Sequence, residues 1–192
     1  MKKRILSFIL VLGLLALMLT GCTSDSKDSG SSTKTAKART LEEIKKDGKI
    51  RIGVFSDKNP FGYVDENGKV QGYDIYFAKR IAKDLLGSED AVEFVYVEAA
   101  SRVEYLQSGK VDITLANFTV TEERSEKVDF ALPYMKVALG VVSPDSALIK
   151  SVDDLDGKNL IVVKGTTAET YFSENYPNVK LTKSVSYTHL RA

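Results

Sequence analysis

The chain has 192 residues, with 27 basic and 26 acidic side chains, one cysteine and one histidine. This near-neutral balance excludes the basic footprint of a nucleic-acid-binding protein, and a lone cysteine excludes an internal disulfide.

At the start, Lys2, Lys3 and Arg4 precede an almost unbroken apolar run from Ile5 to Leu19, which leads into Thr20-Gly21-Cys22. A run of about 15 residues falls short of the roughly 20 needed to span hydrocarbon. Residues 1–21 therefore read as an export signal. Leu19 to Cys22 resembles a bacterial lipobox, which implies acylation of the Cys22 thiol and a membrane lipid anchor on the extracytoplasmic side. Residues 22–39 then read as the lipidated cysteine and a polar, disordered tether with nothing to pack against.

Thr40-Leu41-Glu42-Glu43 has the spacing of a capping box, and Gly48 suits the end of the short helix it opens. A strand is predicted at Ile50 to Val54. Phe61 to Val64 and Val70 to Gly72 flank Asp65-Glu66-Asn67-Gly68-Lys69, where Asn67-Gly68 predicts a tight hairpin with positive φ angles. From Asp74, Ile75, Ala78, Ile81, Ala82 and Leu85 recur at helical spacing until Gly87; they are expected in the core. Val92 to Val97 reads as a strand, Ser101 to Glu104 as a second capping box opening a helix to Ser108, and Val111 to Leu115 as another strand. Met135 to Ser143 reads as an apolar crossing strand. A helix start at Ser151 to Asp154, a strand at Leu160 to Val163, a helix near Thr166 and a short strand at Val179 to Thr182 complete the pattern. This alternation predicts an α/β layered sheet with parallel pairing.

Val185 to Ala192 matches what a transposon-end adapter used in preparing DNA libraries encodes in one frame. Residues 185–192 thus read as a non-native tail, with native sequence expected to stop near Ser184. The histidine, His189, falls in that tail, so no histidine-based catalysis is inferred. Without Lys2, Lys3, Arg4 and Arg191 there remain 23 basic against 26 acidic side chains.

Ligands of open α/β sheets bind beyond the carboxyl ends of strands, where helix N-termini present free amides. Three segments have that layout: Val97 to Arg102, Leu115 through Asn117 to Arg124, and Val163 to Gly165-Thr166-Thr167. In the second, Thr119 and Thr121 lie near a helix start, and Arg124 carries a planar fork that fits a carboxylate. Spacing alone leaves Arg124 equally able to be a solvated partner of Glu122 or Glu126. Arg102, by the same reasoning, lies beside the cleft or pairs with Glu98 on the surface.

Several motifs in order carry a more specific resemblance. Ile52-Gly53-Val54, Gly72-Tyr73-Asp74-Ile75, Gly109-Lys110-Val111-Asp112, Ala116 through Arg124, Val128-Asp129-Phe130 and Lys164 through Ala168 resemble the polar-amino-acid-binding periplasmic solute-binding proteins of ABC importers (solute-binding family 3, type II periplasmic-binding fold). Gly53-Val54-Phe55, Phe61 to Val64 and Asn117-Phe118-Thr119 place the resemblance nearest the cysteine-binding lipoproteins. It implies a two-lobe protein, with residues 40–137 as lobe 1 and residues 138–184 as the start of an incomplete lobe 2.

The resemblance implies that Arg124 pairs with the ligand α-carboxylate, backed by N–H groups at Thr119 and Thr167, with Gly165 opening the last loop. It implies that the Ala116 carbonyl accepts from the α-ammonium and that Arg102 lies where acidic-ligand relatives hold a side-chain carboxylate. Phe55, Phe61 and Tyr63 would form an apolar wall. Such relatives often carry a lysine where Phe55 stands, which counts against aspartate and glutamate, although Lys58 lies close by; cysteine is the favoured ligand, with aspartate, glutamate or glutamine as the alternatives. Complete relatives continue past Lys183 with an aspartate for the ammonium, so this chain is expected to bind weakly or not at all. No cofactor or metal is expected. The implied partners are an ABC permease and ATPase, with the receptor acting as a monomer that closes on its ligand. The rival is an enzyme on the same fold, such as a cyclohexadienyl-dehydratase-like protein, against which stands the lack of native histidine or paired acids for general acid–base work.

Overall fold

A computed structural model of the protein describes residues 38–191. The export signal, Cys22 and all but the last two tether residues lie outside the described residues.

The first helix, α1 (Leu41–Asp47), opens with the expected capping box: Thr40 Oγ1 accepts from Glu43 N at 3.2 Å, and the Glu43 carboxylate accepts from Thr40 N at 2.7 Å. Gly48, at φ +70°, ends it. Strand β1 (Ile50–Val54) follows, then β2 (Asp57–Lys58), β3 (Gly62–Val64) and β4 (Val70–Gln71), which form a small antiparallel sheet. The turn between β3 and β4 corrects the sequence reading. Gly68 alone has positive φ, at +75°, while Asn67 does not. The five-residue loop is held instead by Asp65, whose Oδ1 accepts from the backbone of Asn67 and Lys69. A side-chain turn of this kind does not need two left-handed residues.

Helix α2 (Tyr73–Leu86) packs its buried stripe, Ile75, Ala78 and Ala82, against β1. Leu85, expected in the core, is 37% exposed, and Leu86 takes its place. The stripe advances by four residues from Ala82 to Leu86 and turns Leu85 outward. Strand β5 (Val92–Tyr96) runs parallel to β1 on one side and β6 (Ile113–Thr114) on the other, giving the order β5-β1-β6. Ile50, Ile52 and Val54 are almost wholly buried in this layer. Each contributes about 2 kcal/mol relative to exposure, so a charge at Ile52 would break the strand. β6 is shorter than the Val111 to Leu115 predicted.

Helix α3 (Arg102–Gln107) is entered through a 3-10 turn at Ala99–Ser101. Ser101 makes no side-chain cap, contrary to the capping-box reading, because it already has helical φ and ψ and its hydroxyl is not turned onto the helix end. Helix α4 (Glu122–Ser125) is a single turn capped by Thr121. Between Met135 and Ser143 no strand forms. A strand exists only where a neighbour completes its backbone hydrogen bonds, and none of the described strands pairs with this segment. Leu132, three residues before it, and Val142, within it, are 92% and 98% exposed.

A second parallel pair, β7 (Asn159–Val163) with β8 (Lys180–Ser184), is joined by α5 (Thr167–Asn175). Leu155, Val162, Phe172 and Val179 form its own core. A separate small cluster of Phe55, Val97, Ala99, Ala116 and Val163 joins the carboxyl ends of β1, β5 and β6 to the end of β7. The two sheets meet there, and so do the functional side chains.

Candidate functional site

The loops that carry Arg102, Arg124 and Gly165 each follow the carboxyl end of a parallel strand. After β6, the chain turns at Asn117, whose φ of +46° is the one left-handed non-glycine backbone among the described residues. Asparagine tolerates that region better than most residues. Asp74, fully buried in the first turn of α2, fixes the turn: its Oδ2 accepts from Asn117 N at 3.1 Å and its Oδ1 accepts from the Tyr134 hydroxyl at 2.9 Å. Burial pushes the Asp74 carboxyl above its usual range, against the opposing pull of Tyr134, Asn117 and Lys58.

Arg102 is buried at 3% exposure, not paired with Glu98 on the surface. Its Nε donates to the Ala99 carbonyl at 2.8 Å, its Nη1 to Ala116 and Asn117 at 3.1 and 3.3 Å, and its Nη2 to Gly165 at 2.9 Å. The guanidinium also lies 4.5 Å from the Phe118 ring centroid. Burial, with the Arg124 charge adding to it, lowers the Arg102 pKa to about 10.

Arg124 bonds to neither Glu122 nor Glu126. Its Nη1 donates to the Thr119 carbonyl at 2.8 Å and its Nη2 to the Gly165 carbonyl at 3.0 Å. Two guanidinium groups thus converge on the single Gly165 oxygen. Gly165 is required there, since at φ +77° a Cβ would stand 2.5 Å from Ala100 Cα. The following helix is capped by Thr166, whose Oγ1 accepts from Glu169 N at 3.3 Å, while Glu169 Oε2 accepts from Gly165 N at 2.6 Å.

These groups wall a pocket of 360 Å³ lined by Phe61, Thr119, Thr167 and the cations Lys58, Arg102 and Arg124, among others, with no carboxylate among its lining residues. A larger cavity of 830 Å³ under β6 and α2 is mainly apolar and none of the three cations lines it, so the smaller pocket is the candidate site. Of the sequence-predicted residues, Arg124, Thr119, Thr167, Arg102 and Phe61 line this pocket, while the Ala116 and Gly165 carbonyls are not in its lining and accept from its arginines. The Ala116 oxygen already accepts from Arg102, which leaves one lone pair for a ligand donor. Phe55 is a correction: it is 2% exposed and packs in the core. Tyr63, also predicted as wall, is not among the lining residues.

Lys58, Asn117 and Asp74 had no assigned role in the sequence reading. Lys58 Nζ donates to Asn117 Oδ1 at 2.7 Å and to the Tyr187 hydroxyl at 2.9 Å. Burial and the Arg102 charge lower its pKa to about 8, opposed by Asp74 and Asp57. Tyr187, from the segment expected to be foreign, reaches into the pocket and packs edge-on against Phe55 at 5.5 Å, while Thr188 N donates to Asp57 Oδ2 at 3.1 Å. A signal for Asp74 was present in the sequence: a carboxylate directly before the apolar stripe of α2. Lys58 was marked only by its closeness in sequence to Phe55.

Bacterial extracellular solute-binding proteins, family 3, match residues 50–183. The chain belongs to this family. A glutamine-binding protein of Geobacillus stearothermophilus is 35% identical over 97% of this chain and 76% of its own length. The crystal structure of a solute receptor for L-cysteine of Neisseria gonorrhoeae superposes with a TM-score of 0.77 at 60% identity, covering 79% of this chain and 61% of that one. A cysteine-binding protein from Campylobacter jejuni gives 0.74 and 61%, over 78% and 60% of the two chains. The family 3 chain therefore has an α/β, periplasmic-binding-protein-like fold and spans about three fifths of those two structures. The matched region contains all three pocket cations, while Tyr187 lies beyond it. No helix among the described residues is long and apolar enough to cross a membrane.

Proposed function

We propose that this family 3 chain is the substrate-binding component of an amino-acid ABC importer, that it takes a small polar amino acid, and that cysteine is the favoured ligand. The observation that carries the reading is the convergence of Arg102 and Arg124 on one acceptor oxygen, that of Gly165, at the junction of two parallel sheets. A ligand α-carboxylate offers the same chemistry with more charge. Exchanging a neutral carbonyl for a carboxylate roughly doubles the strength of each donated bond. The Thr167 position adds a helix-start amide in the same wall, Thr119 lies beside it, and in this reading the Ala116 carbonyl accepts from the α-ammonium.

The two sheets act as the lobes of a hinge: residues 40–137 form the first and residues 138–184 belong to the second. A ligand that contacts both favours the closed arrangement over the open one. Cys22 acylation and the polar tether hold the receptor on the outer face of the membrane, which raises its effective concentration near the permease and ATPase. The high identity to two cysteine-binding structures supports cysteine, whereas the surplus of pocket cations favours the acidic alternatives, aspartate and glutamate.

Calorimetric titration of the full-length parent, with its second lobe complete, against cysteine, aspartate, glutamate and glutamine tests the assignment. Cysteine is expected to bind most tightly. A preference for an acidic ligand that Arg102→Ala abolishes would overturn the choice of cysteine, and absence of heat with all four would overturn the receptor itself.

A further inference from the structure

The two arginines and the lysine of the pocket are not equivalent. Arg102 directs its Nε, Nη1 and Nη2 to four backbone carbonyls, and Arg124 directs both terminal nitrogens to two. These forks are tied to the scaffold, and they suit the α-carboxylate that every amino acid carries. Lys58 is different. Its ammonium has one bond to the scaffold, Asn117 Oδ1, and a second to the phenol oxygen of Tyr187, a residue that lines the pocket. A third N–H remains.

Its surroundings narrow the chemistry further. The Lys58 nitrogen lies 5.5 Å from the Phe55 ring centroid, 5.4 Å from that of Phe61 and 4.3 Å from that of Tyr187. An ammonium is a point charge and offers no fork for a two-oxygen anion. Phe61 in the pocket wall, with the core ring of Phe55 behind it, favours a polarisable sulfur.

We propose that Lys58 is the residue that reads the ligand's side chain, and that the group it meets is an ionised cysteine thiol. This rests on the receptor reading above. On binding, the S–H bond of the ligand breaks, its proton leaves to solvent, and the sulfur anion accepts a hydrogen bond from the Lys58 ammonium, which keeps its own proton. The charged groups acting on Lys58 are Asp57 and Asp74, which hold it protonated, and Arg102, which opposes this; Tyr187 shares its hydrogen bond. With the Lys58 pKa near 8, the ammonium form dominates at pH 7.

The test is an NMR titration of the full-length parent, with its second lobe complete, with cysteine, serine, alanine and aspartate, following the backbone amides of Asn117 and Thr119, together with the thiol titration of cysteine labelled at Cβ. In the wild type the bound thiol is expected to ionise about one pH unit lower than free cysteine. Replacing the ammonium by the neutral isostere, Lys58→Met, is expected to lower the preference for cysteine over alanine about tenfold, and Lys58→Arg to retain most of it. An unshifted thiol titration overturns the proposal using wild-type protein alone, whatever becomes of the variants. So does an unchanged cysteine-to-alanine ratio in Lys58→Met, and aspartate binding that exceeds cysteine and depends on Lys58 replaces the thiolate with a carboxylate. A wild-type chain that binds none of the four is a failure of the receptor assignment, and is recognised as such before any variant is made.

Discussion

The two ends of the β5-β1-β6 sheet handle charge in opposite ways. At the amino end, the Asp112 side chain, 3% exposed, collects Arg39 through two nitrogens, Arg51 Nη2 at 3.1 Å and Arg51 N at 2.7 Å. Burial alone would raise the Asp112 carboxyl, but these bonds outweigh it and hold it below its usual range. At the carboxyl end, Lys58, Arg102 and Arg124 face a pocket whose lining residues include no acid, and burial lowers the pKa of all three. One end is a closed ion cluster that fastens α1's entry to the sheet. The other is a set of charges whose partner is not supplied by the lining, which is how a binding site differs from a structural salt bridge.

Breaking the closed cluster should have the largest effect. Asp112→Ala leaves the partly buried Arg51 guanidinium without a carboxylate and Arg39 with Asp47 alone, and is expected to cost about 3 kcal/mol of stability, read as a lowered urea midpoint. The ligand preference at the other end should not change, and a change would show that the two ends are coupled.

Next in size, Arg124→Ala should weaken amino-acid binding about a hundredfold with little loss of stability. The Gly165 carbonyl keeps its bond to Arg102, so the fold does not depend on Arg124 alone. An equal loss of stability and affinity would make Arg124 a structural residue.

The acid limb separates the two ends again. Because the folded pKa of Asp112 is depressed, its contribution is fully present above the unfolded carboxylate value and is lost as pH falls through that range. The wild-type urea midpoint should therefore drop on acidification below about pH 4 more steeply than that of Asp112→Ala. Parallel curves for the two proteins would remove the ion cluster from the account.

The smallest effect concerns Tyr187. Its ring occupies part of the pocket and its hydroxyl uses one Lys58 donor. Tyr187→Ala is expected to tighten ligand binding about threefold by removing this competition. Weaker binding would instead make Tyr187 part of the ligand's wall.

Much of the fold was legible because it is written in local chemistry. The capping boxes at Thr40 and Ser151, the Thr166 cap, the left-handed glycines at Gly48 and Gly87 and the apolar stripe of α2 all act within a few residues of themselves. The misreadings share a cause. Ser101 has capping-box spacing, but the incoming 3-10 turn decides its geometry. Met135 to Ser143 has the composition of a strand, but a strand needs a partner that composition cannot supply.

For the site, the sequence alone put Arg124, Thr119 and Thr167 in loops after strands, and only the family resemblance pointed to them as a carboxylate site, because spacing left Arg124 equally able to pair with Glu122 or Glu126. Only the tertiary structure decided that Arg102 is buried, that Phe55 is core while Phe61 faces the pocket, and that Lys58 joins Asn117 from 59 residues away and Asp74 joins it from 43. Hydrogen bonds and desolvation act over a few ångströms, so contacts this distant in sequence take their energy from the packing of β1, β6 and α2. No local pattern along the chain encodes that packing.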